Sequence, residues 1–329
     1  MSVASGVGSL PGDDADAYAE AVRLVLGELP DLPHLPELPA RGATANMTAR
    51  ALAVVAELGA DLQPAGWRLT DAAGVDQRRA RSLLAQDLDA MEEQTQGFVG
   101  RFKIQVTGPW TLAATVERPR GDRVLADHGA RRELAQALAE GLRDHVADVR
   151  RRLPGAEVVV QVDEPALPAV MAAQIPTASG FSRHRSVDPP AASPALEWVF
   201  AAIRESGAVP VAHCCAAGAP VSLLLDAGAE GISVDLDTLT LAAYDELGEA
   251  MERQKQVFLG AVPSTDPGTW PGDRQLTERL SRLFDMLGLD PEKAGERLVV
   301  TPSCGLAGAS PSWARRSLQL ARTVAANLT

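Results

Sequence analysis

EVVVQVD, residues 157–163, decides the fold, because it is almost continuously apolar and is closed by Glu164-Pro165. A run of this kind is typical of a strand whose two faces are both buried, as in a parallel sheet covered by helices. Comparable runs recur along the chain at 3–8, 102–107, 208–212, 231–236, 256–261 and 297–301, with a weaker one near 32–37.

Amphipathic segments separate these runs, most clearly at about 129–152 and 311–327. The alternation predicts an α/β fold, and eight strand–helix units in one series predict a (β/α)8 TIM barrel. No stretch rich in Gly, Ser or Pro divides the series, so we expect residues 1–329 to form a single catalytic barrel. The segment at about 174–195, rich in Ser, Pro and Arg, is expected to be a long loop that covers the site.

The balance of charges limits the partners that the chain can have. There are 31 Lys and Arg against 43 Asp and Glu, a net charge of −12, which disfavours nucleic acid and anionic membrane surfaces. Residues 1–12 contain no basic residue and no long apolar run, and no stretch approaches the roughly 18 apolar residues of a membrane helix. Three cysteines are too few for a disulfide framework, so we expect a cytoplasmic protein.

Residues that can carry chemistry follow three of the predicted strands. The runs at 208–212, 231–236 and 297–301 lead into His213-Cys214-Cys215, Asp235-Leu236-Asp237 and Ser303-Cys304. Active sites of such barrels lie at the carboxyl ends of the strands, so we expect all three cysteines at one rim, beside a histidine and a carboxylate. Zinc takes ligands of these kinds.

The two-residue period of a strand selects among these donors. Residues i and i+2 point to the same side, so His213 and Cys215 share a face while Cys214 points away. Ligands drawn from separate strands at a barrel mouth suit a catalytic zinc site better than a structural one. The predicted zinc ligands are His213, Cys215 and Cys304, with Asp235 as a fourth or exchangeable ligand and Asp237 as the alternative to Asp235.

This ligand set predicts a particular kind of reaction. Two thiolates and a carboxylate more than cancel the charge of the metal ion, which makes it a poor Lewis acid for carbonyl groups. Such a site suits an incoming thiol instead, because a free thiol, with a pKa of about 8.5, is mostly protonated at neutral pH and the thiolate is the nucleophile. The residues therefore predict alkylation of a thiol sulfur at a zinc centre.

Six short motifs follow one another along the chain. They are Val7-Gly8-Ser9-Leu10-Pro11, Gly108-Pro109-Trp110-Thr111, Val162-Asp163-Glu164-Pro165-Ala166-Leu167, His213-Cys214-Cys215, Asp235 and Cys304-Gly305-Leu306. In this order and at strand ends, they resemble the motifs of the C-terminal catalytic barrel of cobalamin-independent methionine synthase, in a short core form, within the uroporphyrinogen decarboxylase/methionine synthase-like superfamily. The resemblance implies a zinc-dependent methyltransferase that transfers a methyl group to the zinc-bound thiolate of homocysteine and forms methionine.

The resemblance also implies contacts to the amino acid. Ser9 and the backbone of Val7 match positions that hold the carboxylate and the amino group, and Asp163 matches an acidic residue that binds the amino group. Glu37 is matched to a second acidic residue, although its neighbours depart from the family's pattern. Trp110 stands at a predicted rim and is expected to line the pocket.

Three departures from the family bear on the methyl donor. The chain leaves no room for the second, N-terminal barrel of the family's long members. The family's His after the seventh strand has no counterpart in 260–264, and residues 113–118 contain no match for its folate-contacting Trp. A polyglutamyl folate is therefore a doubtful donor, which leaves methylcobalamin, a corrinoid protein or another small donor.

Two further interpretations stay open. Another zinc-dependent thiol alkyltransferase of the same superfamily would use the same ligands on a different thiol or alkyl donor. A non-catalytic barrel that binds an amino-thiol or a corrinoid partner would tolerate the absent His. A uroporphyrinogen decarboxylase is disfavoured, because that chemistry uses no metal and leaves the rim cysteines without a role.

Overall fold

The computed structural model describes residues 2–290, 295 and 297–328. The strands are β1 (Val3–Ala4), β2 (Gly59–Gln63), β3 (Gly66–Thr70), β4 (Gly100–Thr107), β5 (Ala156–Asp163), β6 (Val209–Cys214), β7 (Gly231–Asp235), β8 (Gln256–Val262) and β9 (Leu298–Pro302). Seven of them form one parallel sheet in the order β1-β9-β8-β7-β6-β5-β4.

Helices follow the strands of this sheet and cover its outer face. They are α1 (Ala15–Glu28), α2 (Met47–Val54), α3 (Val75–Gln94), α4 (Pro109–Thr115), α5 (His128–Arg152), α6 (Leu167–Met171), α7 (Pro189–Glu205), α8 (Val221–Asp226), α9 (Leu241–Glu252), α10 (Asp273–Leu287) and α11 (Pro311–Asn327). Within the described part of the chain, none of these helices is both long enough and apolar enough to span a membrane.

The parallel sheet is curled, with one apolar core between sheet and helices and a smaller one on its inner side. The inner core joins residues that are far apart in sequence, which are Leu32, Val159, Val211, Phe258 and Val299. Side chains from strands across the sheet therefore meet inside the curl, as in the packed interior of a TIM-barrel-like fold. The α/β class and the alternation of strands and helices agree with the prediction.

Residues 33–37 lie where the sequence predicts a weak second strand. The Lys103 N–H donates to the Pro33 carbonyl (2.8 Å), and the Leu35 N–H donates to the Lys103 carbonyl (2.9 Å). On the other side, the Glu37 N–H donates to the Gly8 carbonyl (3.1 Å). This short segment thus connects β4, at one edge of the sheet, to the chain that continues β1 at the other edge.

The strand register brings polar residues of four strands into one row. Thr107 lies opposite Asp163, Asp163 opposite His213, and His213 opposite Ser233. Because the strands are parallel, their carboxyl ends meet at the same edge, and this row lies there. The register therefore explains how motifs separated by up to 126 positions along the chain reach a common place.

Two regions differ from the expectations drawn from the sequence. Residues 59–70 form an antiparallel hairpin, β2–β3, that the sequence analysis does not predict. The loop expected at about 174–195 runs instead from 172 to 188, because α7 begins at Pro189. Proline suits the first turn of a helix, where its missing N–H would have no partner, so Pro189-Pro190 start a helix here.

Candidate active site

Three predicted zinc ligands come together at the carboxyl edge of the sheet. His213 is the next-to-last residue of β6, and Cys215 comes directly after this strand. Cys304 follows the end of β9. One ligand atom from each lies within 4.8 Å of the other two. The Cys215 and Cys304 sulfur atoms are 2.9 Å apart, and both cysteines are free thiols.

The imidazole of His213 is oriented by a neighbouring strand. Its Nδ1 lies 2.9 Å from the Ser233 hydroxyl, and its Nε2 is buried without a hydrogen-bond partner among the described residues. When Nδ1 carries the hydrogen and donates it to Ser233, the Nε2 lone pair is free. A metal-ligating histidine usually has its other ring nitrogen held in this way. The orphaned Nε2 beside two thiols is the observation that fits a bound zinc ion.

A hydrogen bond joins the two sulfur atoms, and either thiol can be its donor. The hydrogen bond with Cys215 lowers the pKa of Cys304 to about 4, and the neighbouring His213 acts in the same direction. The same hydrogen bond, together with burial, raises the pKa of Cys215. Cys214 instead points into the core between sheet and helices, where burial raises its pKa to about 12. The two-residue period of the strand thus separates Cys214 from the cluster.

The two candidate carboxylates of β7 have different surroundings. Asp235 is half-buried, and its Oδ1 accepts a hydrogen bond from the Asp237 N–H (2.9 Å). Burial raises the pKa of Asp235, and the nearby charge of Cys304 adds to this effect. Asp237 points to solvent and pairs with Arg279 (2.7 Å). Neither carboxylate is part of the three-residue cluster, so a fourth ligand from this strand stays a prediction, with Asp235 the better placed.

A cavity of about 290 Å³ opens beside the cysteines. Its size is at the lower end of the range for small-molecule sites. The described residues that line it are Val7, Gly8, Ser9, Glu37, Pro39, Asn46, Met47, Gln105, Asp163, Pro165, His213, Cys215, Cys304 and Gly305. Four residues matched by resemblance to amino-acid contacts, Val7, Ser9, Glu37 and Asp163, therefore share one cavity with the cluster.

The two carboxylates of the cavity are held differently. Glu37 pairs with the buried Arg50 (3.1 Å) and accepts a hydrogen bond from Gln105 Nε2 (3.1 Å). Asp163 forms no ion pair within the described residues and accepts one hydrogen bond, from Gln161 Nε2 (2.7 Å). Burial raises the pKa of Asp163 to about 7, against the lowering effect of His213. Of the two carboxylates, Asp163 is therefore the one whose ionised form a cationic group of a ligand would stabilise more.

The carbonyl of Val7 already has two donors from the protein. Lys103, which is fully buried, donates its Nζ to this oxygen (2.8 Å), and Gln161 Nε2 donates to it as well (2.9 Å). A carbonyl oxygen has two lone pairs, so Val7 has no free acceptor for an amino group. The Val7 carbonyl therefore fixes the first loop, while Val7 itself lines the cavity, and a contact between its backbone and the amino acid stays a prediction.

Trp110 lies outside the cavity. Its indole N–H donates to the Ala192 carbonyl of α7 (3.0 Å), and the Arg131 guanidinium lies 5.6 Å from the centre of a Trp110 ring. Its backbone N–H donates to the buried Glu164 carboxylate (2.8 Å), which also accepts from Thr111. The first turn of α4 thus directs Trp110 against α7, and the expectation that Trp110 lines the pocket is corrected. Glu164 serves as a structural anchor for that turn.

Both the sequence and the fold of this chain are similar to those of known proteins. Residues 83–327 match the family model described as cobalamin-independent synthase, catalytic domain. The fold is similar to a B12-independent methionine synthase from Shewanella sp. W3-18-1 in complex with selenomethionine, with 14% identity, a TM-score of 0.65, and coverage of 100% of this chain and 98% of that chain. No curated protein matched the sequence.

Further structural matches have lower TM-scores. The GH5_18 protein from Streptomyces cattleya in complex with GlcNAc has 15% identity and a TM-score of 0.47, covering 99% of this chain and 79% of that chain. The β-mannanase from the blue mussel Mytilus edulis has 10% identity and a TM-score of 0.47, covering 98% and 92% of the two chains.

Proposed function

This chain belongs to the cobalamin-independent synthase catalytic-domain family, and we propose that it is a zinc-dependent methyltransferase that converts homocysteine to methionine. One observation carries the proposal: the unpartnered Nε2 of His213 and the sulfur atoms of Cys215 and Cys304 form one wall of a small cavity that also contains the Asp163 carboxylate. In a ligand with an amino group and a thiol, the amino group can meet the Asp163 carboxylate and the thiol can meet the cluster of His213, Cys215 and Cys304.

The residues that would hold the zinc ion are His213, Cys215 and Cys304, with Asp235 as the proposed fourth ligand. Zinc supplies a positive charge that stabilises a deprotonated sulfur at neutral pH. Ser233 keeps the imidazole of His213 in the orientation that presents Nε2. In the overall reaction the thiol of homocysteine loses its proton, a sulfur–carbon bond forms, and the donor keeps the electron pair of the bond that breaks.

The amino group of the substrate is proposed to lie against Asp163 and Glu37. Both carboxylates line the cavity, and Asp163 forms no ion pair within the described part of the chain. The Ser9 hydroxyl, which has no protein partner among the described residues, also lines the cavity and is available to the substrate carboxylate. The structurally similar Shewanella synthase was solved with selenomethionine, an analogue of the proposed product, which supports an amino acid of this size as ligand.

We propose that residues 1–329 form one catalytic domain, a closed (β/α)8 barrel. The seven-stranded parallel sheet and the bridges made by residues 33–37 support closure. In such a barrel the chemistry lies at the carboxyl ends of the strands, where the cluster is found. The methyl donor is proposed to be methylcobalamin, a corrinoid protein or another small donor, because neither the folate-contacting Trp nor the His after the seventh predicted strand has a counterpart in the sequence.

Two measurements test this function together. Zinc per chain is measured by atomic emission in protein purified without added metal, and methionine formation from homocysteine is followed with methylcobalamin and with a polyglutamyl methylfolate as donors. We expect about one zinc per chain and turnover with the corrinoid donor. Protein that stays free of zinc after reducing treatment with added zinc, or zinc-loaded protein that binds homocysteine without any turnover, would overturn the proposal.

A further inference from the structure

The cavity has few groups that can meet the carboxylate of an amino acid. No Lys or Arg is among the described residues that line it. Apart from the metal-binding cluster, three lining side chains carry N–H or O–H donors, namely Ser9, Asn46 and Gln105. The Nε2 of Gln105 is already used, because it donates to the Leu35 carbonyl (2.6 Å) and to Glu37 (3.1 Å).

Asn46 has a fixed orientation and a free donor. Its Oδ1 accepts a hydrogen bond from the Ala49 N–H (2.8 Å) and so caps the N-terminus of α2. This bond assigns the oxygen and the nitrogen of the amide, because only the oxygen can accept from a backbone N–H. The Nδ2 group therefore points away from the helix, and no described residue accepts a hydrogen bond from it. Asn46 lines the cavity and is partly exposed there.

We propose that Asn46 determines the specificity of the site for α-amino acids: its Nδ2, together with the Ser9 hydroxyl, donates hydrogen bonds to the carboxylate of the substrate. This inference rests on the proposed function and adds a residue to it. The amino group then lies at the Asp163 and Glu37 side of the cavity. A small cavity that offers acceptors for an ammonium group and neutral donors for a carboxylate distinguishes an amino acid from a simple amine.

Two variants separate this role from the capping role. Asp and Ser are as good as Asn at the N-cap of a helix, so Asn46→Asp and Asn46→Ser keep α2 capped and the protein folded. Asn46→Ser removes the long amide donor, and Asn46→Asp replaces it with a negative charge. Equal thermal denaturation midpoints and equal zinc contents for the wild type and both variants verify that the fold and the metal site are intact.

The test compares two ligands by calorimetric titration of the zinc-loaded protein. One is homocysteine, and the other is decarboxylated homocysteine, an aminothiol with the same chain but no carboxylate. We expect Asn46→Ser to weaken homocysteine binding by about ten- to a hundredfold, as is typical for a lost hydrogen bond to a charged group. Asn46→Asp is expected to weaken it further through repulsion between like charges. Both variants should bind the aminothiol as the wild type does.

The outcomes are distinguishable. If the variants bind homocysteine as tightly as the wild type, or lose affinity equally for both ligands, the specificity role of Asn46 is refuted while the proposed function stands. If the wild type binds neither ligand, the proposed function fails, and the role of Asn46 fails with it.

Discussion

Replacing Gly305 by alanine tests the packing that holds the first and last strand ends together. An ideal Cβ on Gly305 would lie 2.1 Å from the Ser9 Oγ and 3.3 Å from the Ser9 Cβ. The backbone of Gly305 is not in the left-handed region, so the penalty is steric. The Ser9 hydroxyl would have to move by more than about 1 Å, and we expect the free energy of unfolding to fall by about 1–3 kcal/mol, as for other overpacked sites.

The contact with Ser9 gives this prediction a sharp control. In a Ser9→Ala/Gly305→Ala double variant the 2.1 Å contact disappears, and the tightest remaining one is the 3.3 Å contact between the two Cβ atoms. We therefore expect the double variant to regain about 1 kcal/mol or more relative to the sum of the single changes. Gly308 has nothing within 4 Å of its ideal Cβ, so Gly308→Ala is the matched control in the same loop.

Urea denaturation, followed by circular dichroism, measures these differences for Ser9→Ala, Gly305→Ala, the double variant and Gly308→Ala. Two results would refute the reasoning. Gly305→Ala could be as stable as Gly308→Ala, or the effects of the Ser9 and Gly305 changes could simply add. Either result would mean that the first and last strand ends are not in close contact at this point.

Five other substitutions, in three sets, probe the cluster and the cavity. Cys215→Ser and Cys304→Ser should each lose zinc and activity, while Cys214→Ser should keep both. The zinc content of each variant is measured by atomic emission, and equal zinc loss in all three would contradict the ligand assignment. Ser233→Ala should weaken zinc binding by about 10- to 100-fold, as is usual when a histidine ligand loses its orienting partner, and chelator competition measures this; unchanged affinity would argue against that role. Asp163→Asn should raise the KM for homocysteine by at least about tenfold with zinc content unchanged, and an unaltered KM would remove the ammonium contact.

The metal cluster could be predicted from the sequence because it depends on local rules. Cys215 and Cys304 each follow a run with strong strand character, and the parallel fold brings such ends to one edge. The period of the strand also separates Cys214 from its neighbour, as the structure shows. The fourth ligand could not be predicted, because Asp235 and Asp237 obey the same periodicity and differ only in tertiary contacts, above all the ion pair with Arg279.

Other features depend on packing that the sequence does not specify. The side chain of Trp110 points toward α7 because of the way α4 packs against α7. The hydrophobic periodicity of the sequence does not predict this packing. The β2–β3 hairpin at residues 59–70 is short and lies between two helical patterns, so its strand signal is weak. The inward position of Lys103 could have been predicted from the sequence. Polar and apolar residues alternate along β4, so the polar residues all lie on its inner side. The polar residues are Lys103, Gln105 and Thr107, and the apolar ones are Phe102, Ile104 and Val106.

Several charged groups are buried on the inner side of the sheet, next to the cavity. Lys103 and Arg50 are buried beside the carboxylates of Asp163 and Glu37, and burying charged groups of this kind costs stability unless they are paired. Arg50 pairs with Glu37, and Lys103 donates to the Val7 carbonyl, while Asp163 forms no ion pair within the described residues and burial raises its pKa to about 7. A bound ammonium group would offset the cost of ionising Asp163, and Cys215 and Cys304 line the same small cavity. An amino acid that carries a thiol satisfies both demands, which is why this pattern of charges supports an amino-thiol substrate over a simple thiol.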